Sequence, residues 1–442
     1  MVVAGTHSGV GKTTVTTGIL AALKKRGLEP ACAKVGPDFI DPSYHSLACG
    51  RPPRNLDPWL CGPQAMGPLA ARAAIGADLL VIEGVMGLFD GAVDGSCSST
   101  GDLAALLEAP VVLVVDASAM SGSVAALVHG FASFRPGLRV GGVVLNRVGS
   151  PGHRQLLLEA LAPLGIPVLG ALPKDPRFVW RDRHLGLVPV AEARPQALAA
   201  LDALAEAVGQ VVDLEAVVAL ARSAPPRSVG EVALPERGPA ARIGLAVGRA
   251  FSFTYQDTLD AALAAGAEIV PFDPLQDRHL PAALDGLLIG GGFPEVYAEA
   301  LSDNEAFLED LRRAAASGLV IWAECGGLLL LCERLEGKRL AGVVAAEAHM
   351  TERLTIGYRE AQSTAASPIG PAGTSFRGHE FHYSTLSPPG GALVLSSRFG
   401  VTREGFANPD LLATYLHYHP GGDPGPVAAF VRRAALRHAL HS

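Results

Sequence analysis

Apolar residues come in short runs, and amphipathic stretches separate them. The runs at 2–4, 30–34, 79–82, 111–115, 140–146 and 167–172 are apolar on both faces, the pattern of parallel strands buried between helices. Helical periodicity falls between them, over 13–26, 63–75, 102–107, 121–134 and 153–161. The alternation predicts a doubly wound α/β domain whose site lies at the carboxyl ends of its strands. An amphipathic stretch rich in Ala and Leu, 194–222, predicts a closing helix and ends this first domain, 1–222. Ser223-Ala-Pro-Pro-Arg-Ser-Val-Gly230 and Pro235-Glu-Arg-Gly-Pro239 predict a linker over 223–240. A second α/β pattern opens at 242–247, continues at 287–289 and 319–322, and turns strand-rich from Ile356 onward, so a second domain is expected over 241–442. No internal repeat is evident.

The chain has 442 residues, 49% of them apolar and 18% charged, which is enough to fill two or three cores. A net charge of -7 without blocks of like charge gives no electrostatic basis for nucleic-acid or membrane-surface binding. No apolar run approaches the ~18 residues of a membrane span, and no leader pattern opens the chain, so a cytoplasmic protein is expected. The six cysteines have no regular C-x-x-C spacing, which favours neither a disulfide framework nor a zinc site.

Gly5-Thr6-His7-Ser8-Gly9-Val10-Gly11-Lys12-Thr13-Thr14 joins the first strand to the first helix. Glycines at 9 and 11 let backbone N–H groups converge on phosphate, and the helix N-terminus at Thr13 and Thr14 adds its positive end. Lys12 reaches the outer phosphates, and the Thr13 hydroxyl is suited to Mg²⁺. The spacing departs from the usual loop, because Thr6 stands in the place of the first glycine and Gly5 lies one residue earlier. After the second strand come Lys34, Asp38 and Asp41. Carboxylates at a strand end beside a phosphate loop can hold Mg²⁺, and Lys34 can neutralise phosphate, while Gly-Pro-Asp and Asp-Pro are equally turn formers. Glu83 ends the next apolar run and is well placed for the metal. Asp90, in a glycine-rich loop, is placed to face a substrate. Asp116 reads as a Walker B carboxylate or as an N-cap, and Asn146 as an adenine reader or as a strand-end turn residue.

In the second domain, Ile321-Trp-Ala-Glu-Cys325-Gly-Gly327 is a strand ending in a cysteine on a tight turn into a helix. That geometry exposes a nucleophile, and a helix N-terminus lowers its pKa. Cys332, flanked by leucines, reads as inert core. Glycines 290–292 and Gly326 offer oxyanion donors, and Thr414-Tyr-Leu-His417-Tyr-His419 reads as a strand bearing two histidines on one face. Thiol, histidine and oxyanion loop are what attack on a glutamine side-chain amide requires. His7, His129, His153 and His438 read as surface or satisfied interior groups.

These motifs resemble one family across nearly the whole chain: the cobyrinic acid a,c-diamide synthases, glutamine-dependent amidoligases of cobalamin biosynthesis that include the hydrogenobyrinic acid enzymes. The matching stretches are Lys34-Val-Gly-Pro-Asp-Phe-Ile-Asp41, Glu83-Gly-Val-Met-Gly-Leu-Phe-Asp-Gly91, Glu324-Cys-Gly-Gly327 and Gly378-His-Glu-Phe-His-Tyr-Ser384. The first domain looks like dethiobiotin synthetase, whose phosphate loop has the same early glycine, and the second like a class I glutamine amidotransferase. The resemblance implies ATP and Mg²⁺ as cofactors, and L-glutamine and a corrinoid, cobyrinate or hydrogenobyrinate, as substrates; it admits a homodimer. By the same resemblance Gly9, Gly11, Lys12, Thr13, Thr14, Lys34 and Asn146 hold the nucleotide. Asp38, Asp41 and Glu83 serve phosphoryl transfer, with Thr13, Asp41 and Glu83 on the metal. Tyr44 and Asp90 meet the macrocycle, Cys325 with His417 releases ammonia, and Gly291, Gly292 and Gly326 form the oxyanion hole. Cobyric acid synthase and nickel-sirohydrochlorin diamide synthase share the mechanism, and a partitioning-type switch ATPase shares only the loop. Ordinary class I enzymes carry Glu two residues after the catalytic histidine; here that residue is His419, and the orienter of His417 is unidentified.

Overall fold

The computed structural model describes residues 1–91, 97–178, 182–183, 186–187, 189–225, 230 and 232–441. The His438 side chain and linker residues 226–229 and 231 lie outside the described part. The chain forms two compact units, Met1–Val232 and Ala233–Ser442. Among the described residues no helix is long and apolar enough to cross a membrane.

The first unit runs β1 (Val2–Gly5), α1 (Lys12–Lys25), β2 (Pro30–Val35), α2 (Asp41–Cys49), β3 (Arg54–Leu56), α3 (Pro58–Cys61), α4 (Met66–Ala74), β4 (Leu79–Glu83) and α5 (Thr100–Leu106). It continues with β5 (Val111–Asp116), α6 (Ser123–Ser133), β6 (Val140–Val148), α7 (Pro151–Leu161), β7 (Val168–Pro173), the short pair β8 (Asp182–Arg183) and β9 (Gly186–Leu187), α8 (Val190–Val211) and α9 (Leu214–Arg222). Seven parallel strands form one sheet in the order β3-β2-β4-β1-β5-β6-β7. Buried on both faces, β1 and β5 are runs of valine, leucine and alanine, as a central strand between helical layers requires. The expected helix over 194–222 is two helices. Val212 is extended, and the Asp213 side chain caps α9 by accepting from the Ala216 amide, so a local cap overrides the continuous apolar stripe.

The second unit runs β10 (Ala241–Ala246), α10 (Gln256–Ala265), β11 (Ala267–Phe272), β12 (Gly286–Ile289), α11 (Ala298–Asp303), α12 (Glu305–Ala316), β13 (Val320–Glu324), α13 (Gly326–Leu331), β14 (Cys332–Leu335), β15 (Lys338–Arg339) and β16 (Val344–Ser363). After these come β17 (Ser375–Ser387), β18 (Leu393–Ser397), β19 (Gly400–Glu404), β20 (Phe406–Asn408), β21 (Leu411–Thr414), β22 (His417–Tyr418) and α14 (Gly425–His441). One sheet has the order β11-β10-β12-β13-β21-β20, parallel except for its edge strand β20. A second sheet has the order β15-β14-β16-β17-β22, and β18 pairs with β16 and β19. The strand-rich region begins at Cys332, twenty-four residues before the expected Ile356. Much of β16 is half-buried or exposed, so it carries too few apolar residues to stand out in sequence.

β21 and β22 belong to different sheets. β21 pairs with β13, Thr414 opposite Glu324, and β22 pairs with β17, His417 opposite His379. The chain therefore changes sheets across Tyr415 and Leu416. This corrects the reading of 414–419 as one strand: β22 ends at Tyr418, and simple alternation does not extend to His419.

Candidate functional site

In the first unit, Gly5, at the end of β1, packs its bare Cα against the side chains of Val10 and Lys12; a Cβ there would lie 2.6 Å from Val10 Cγ2. The early glycine thus lets the loop fold back over its own strand, which accounts for the unusual spacing. Gly11 stands at the N-cap of α1 with φ 97°, beyond the exposed Gly9. Thr13 and Thr14 lie in the first turn. Lys12 is buried, and that burial lowers its pKa to about 8. Asn146 Nδ2 donates to Val10 O at 2.8 Å and Oδ1 accepts from the Arg147 amide at 2.9 Å. As placed it braces the phosphate loop. Asp116 pairs with the Arg147 guanidinium and accepts from the Ser118 amide, which is turn chemistry.

A closed set of charges sits beside the loop. Lys34 and Glu83 face each other in register on β2 and β4. Lys34 Nζ lies 2.8 Å from Glu83 Oε1, 2.6 Å from Asp41 Oδ2 and 3.8 Å from Asp38 Oδ2. Thr13 Oγ1 donates to Glu83 Oε1 at 2.8 Å, and His45 Nε2 meets Glu83 Oε2 at 2.5 Å. Burial would lower the Lys34 pKa, but Asp41, Glu83 and Asp38 outweigh it and hold the ammonium above its ordinary range. Burial would likewise raise Glu83, yet Lys34 and His45 keep it ionised, whereas burial and the neighbouring Asp38 push Asp41 up to about 7. Asp38 Oδ1 closes a turn on the Ile40 and Asp41 amides, the turn chemistry its sequence allows, while Oδ2 faces Lys34.

Thr13, Asp41 and Glu83 are hard oxygen donors around a place already stabilised for positive charge. They fit Mg²⁺, which takes one or two carboxylates and completes its shell with phosphate and water. Among the described residues no ready-made cage of three or more His, Cys, Asp or Glu exists. Tyr44 is buried on α2. Asp90 Oδ2 accepts from the Gly87 amide at 2.8 Å, pinning the loop after β4.

In the second unit Cys325 stands between β13 and α13 with φ 48° and ψ -103°, a conformation that a non-glycine residue rarely adopts. Its amide donates to Thr414 O at 2.7 Å, tying the elbow to β21. The expectation of a lowered thiol pKa is reversed. Burial, with Glu295 adding to it, pushes the thiol well above its ordinary value, against a lowering contribution from the Gly326 amide. His417 is 1% exposed, and burial together with His382 lowers its pKa to about 3. Buried Glu324 rises to about 8. Burial thus favours the neutral forms of Cys325, His417 and Glu324 alike.

The glycine loop lies against this pair, and its members differ. Gly291 N–H donates to Phe253 O at 3.1 Å, so as placed it is not an oxyanion donor. Its role is spatial: the His417 ring rests on its Cα, and a Cβ would collide with His417 Cε1. Gly292 and Gly326 abut, since a Cβ on Gly326 would lie 3.0 Å from Gly292 N. Sequence reasoning assigned no role to the carboxylate of Glu324, directly before Cys325. Its Oε2 lies 3.8 Å from His417 Nδ1, and its Oε1 accepts from the Tyr418 amide at 3.1 Å. An acid next to a nucleophile was the available signal.

Two family models divide the chain as its folds do. A CobQ/CobB/MinD/ParA nucleotide binding domain matches residues 1–187, and a CobB/CobQ-like glutamine amidotransferase domain matches residues 242–424. The chain is thus an enzyme that joins a nucleotide-binding P-loop domain to a glutamine amidotransferase domain. It is 47% identical to the hydrogenobyrinate a,c-diamide synthase of Streptomyces coelicolor over 98% of this chain and 97% of that one. It is 44% identical to the enzyme of that name from Mycobacterium tuberculosis, again over 98% and 97%. Against the cobyrinate a,c-diamide synthase of Syntrophotalea carbinolica the identity is 43%, with the same coverage. The chain belongs to the family of hydrogenobyrinate and cobyrinate a,c-diamide synthases.

Proposed function

We propose that this protein amidates the a and c carboxylates of hydrogenobyrinate, consuming ATP and glutamine, in the cytoplasm. The observation that carries the reading is the 47% identity to a hydrogenobyrinate a,c-diamide synthase, which runs through both halves of the chain. Lys12 and the loop amides between Gly9 and Thr14 grip the nucleotide phosphates. Mg²⁺, held by Thr13, Asp41 and Glu83, neutralises phosphate charge when bound. Lys34 keeps Asp41 and Glu83 in place, and Asp38 shapes the turn that presents them. Asp90 and Tyr44 are assigned to the macrocycle. A ring carboxylate attacks the γ-phosphoryl group and becomes an acyl phosphate. In the second unit Cys325 attacks the glutamine side-chain amide, His417 moves the thiol proton to the departing ammonia, and Gly292 and Gly326 face the developing oxyanion. Ammonia then displaces phosphate, and the cycle repeats on the second carboxylate.

The test is incubation with ATP, Mg²⁺, glutamine and either hydrogenobyrinate or cobyrinate, followed by mass spectrometry. Two acid-to-amide exchanges on the cobalt-free ring are expected; no exchange on either ring sinks the proposal, and exchange on cobyrinate alone reassigns the substrate. Cys325→Ser should abolish glutamine-supported amidation yet keep the ammonium-supported reaction.

A further inference from the structure

A histidine base works best when an acceptor fixes its second nitrogen, which sets both tautomer and ring orientation. The second unit holds several buried acids near His417, and most have other partners. Glu380 binds Arg359 Nε at 2.6 Å and faces His382 Nε2 at 3.6 Å. Glu404 accepts from the Thr414 hydroxyl and, at 3.1 Å, from the Tyr415 amide. Asp257 faces His419 Nε2 at 3.9 Å, and the His419 ring lies 4.4 Å from that of Tyr255. Residue 419, two positions past the base, is therefore turned toward a different acid.

Glu324 is the acid turned toward His417. It ends β13, and Thr414 lies opposite it on β21. The sheet change across 415–416 then brings His417 and Tyr418 back past its carboxylate. One oxygen is anchored by the Tyr418 amide while the other stands 3.8 Å from Nδ1. That separation is an electrostatic contact, and catalytic hydrogen bonds commonly tighten from such distances when substrate binds. His379 stacks on the ring at 4.9 Å, and Gly291 lies at its Cε1 edge.

We propose that Glu324 is the positioning residue for His417, supplying from the position before the nucleophile the carboxylate that ordinary class I amidotransferases place two residues after the histidine. Ionised Glu324 accepts Nδ1–H, which leaves Nε2, beside Gly291, as the base. The thiol proton moves to Nε2, sulfur bonds to the glutamine side-chain carbon, and the C–N bond breaks. The Nε2 proton then leaves with the nitrogen as ammonia, and water later hydrolyses the thioester to glutamate. A proton on His417 favours the ionised form of Glu324, so the charge appears in the step that uses it.

The inference rests on the glutaminase reading of Cys325 and His417, and its test separates the two. Glutamate release is measured with ATP, Mg²⁺ and ring substrate for the wild type, Glu324→Gln and Glu324→Asp, alongside ammonium-supported synthesis. A silent wild type would defeat the glutaminase reading itself. With an active wild type, Glu324→Gln should lose on the order of 10²-fold or more in kcat with little change in glutamine KM. Ammonium-supported synthesis should persist, and Glu324→Asp should outperform Glu324→Gln because it keeps a carboxylate. A purely structural role predicts the reverse ranking, since Gln is the closer isostere, and that ranking or an unchanged kcat overturns the proposal. The ¹⁵N spectrum of wild-type His417, taken above pH 8 where Glu324 is ionised, tests it without any variant: an Nδ1–H tautomer is expected, and an Nε2–H tautomer refutes it.

Discussion

Cys325 and Lys34 show how one buried environment produces opposite charge states. The Cys325 thiol has a pKa pushed up by burial and an amide helping only weakly, whereas Lys34 keeps its proton because three carboxylates surround it. A charge survives in these interiors where opposite charges are already in place, as they are around Lys34. Around His417 a single methyl group matters. Gly291→Ala would place a Cβ against His417 Cε1 and tilt the ring. Misplacement of about 1 Å typically costs ~10²-fold in rate, so glutamine-supported amidation should fall by that order while ammonium-supported amidation holds. A steady-state assay with each nitrogen source checks this, and equal losses with both would show that the glycine serves the fold as a whole.

Helix and strand ends carry the candidate site residues, and small side-chain contacts set those ends. α1 begins at a left-handed glycine, β4 delivers Glu83 to the carboxyl end of an interior strand, and β13 ends on Glu324 immediately before the elbow. The break between α8 and α9 is another such ending, made by Asp213 accepting from the Ala216 amide at 2.9 Å. Removing that cap by Asp213→Ala should cost about 1 kcal/mol, read from a denaturant midpoint that moves without a change in slope. A loss below a few tenths of a kcal/mol would mean that packing against the first sheet, and not the cap, fixes the break.

For the whole molecule, buried acids make stability depend on pH. Glu404 is buried and its pKa is raised from 4.5 to about 7. Below about 4.5 the group is protonated folded and unfolded alike. Between that value and 7 only the folded state keeps the proton, so stability falls as pH rises and levels off above 7. Glu404→Gln removes this dependence. The stability of the variant relative to wild type should therefore improve by up to about 3 kcal/mol between pH 5 and pH 8. Melting at both values checks the sign, and a difference that stays constant would place the Glu404 pKa near its ordinary value.

Much of this protein was legible along the chain, because periodicity and glycine placement are local. The parallel strands, the phosphate loop and the elbow cysteine all announce themselves within ten residues. Asp38, Asp41 and Glu83 were legible as strand-end acids for the same reason. What needed the tertiary structure was every property set by a distant partner. Asn146 turned out to hold Val10, the Gly291 amide to hold Phe253, and the Cys325 thiol to be raised instead of lowered. The passage of the chain from β21 to β22 could not be read from alternation, since a strand that changes sheets keeps the composition of one that does not. That crossing brings Glu324 to His417. Sequence determined which residues could do chemistry; burial and long-range pairing decided which group each of them faces, because both depend on chain segments that meet only in the folded state.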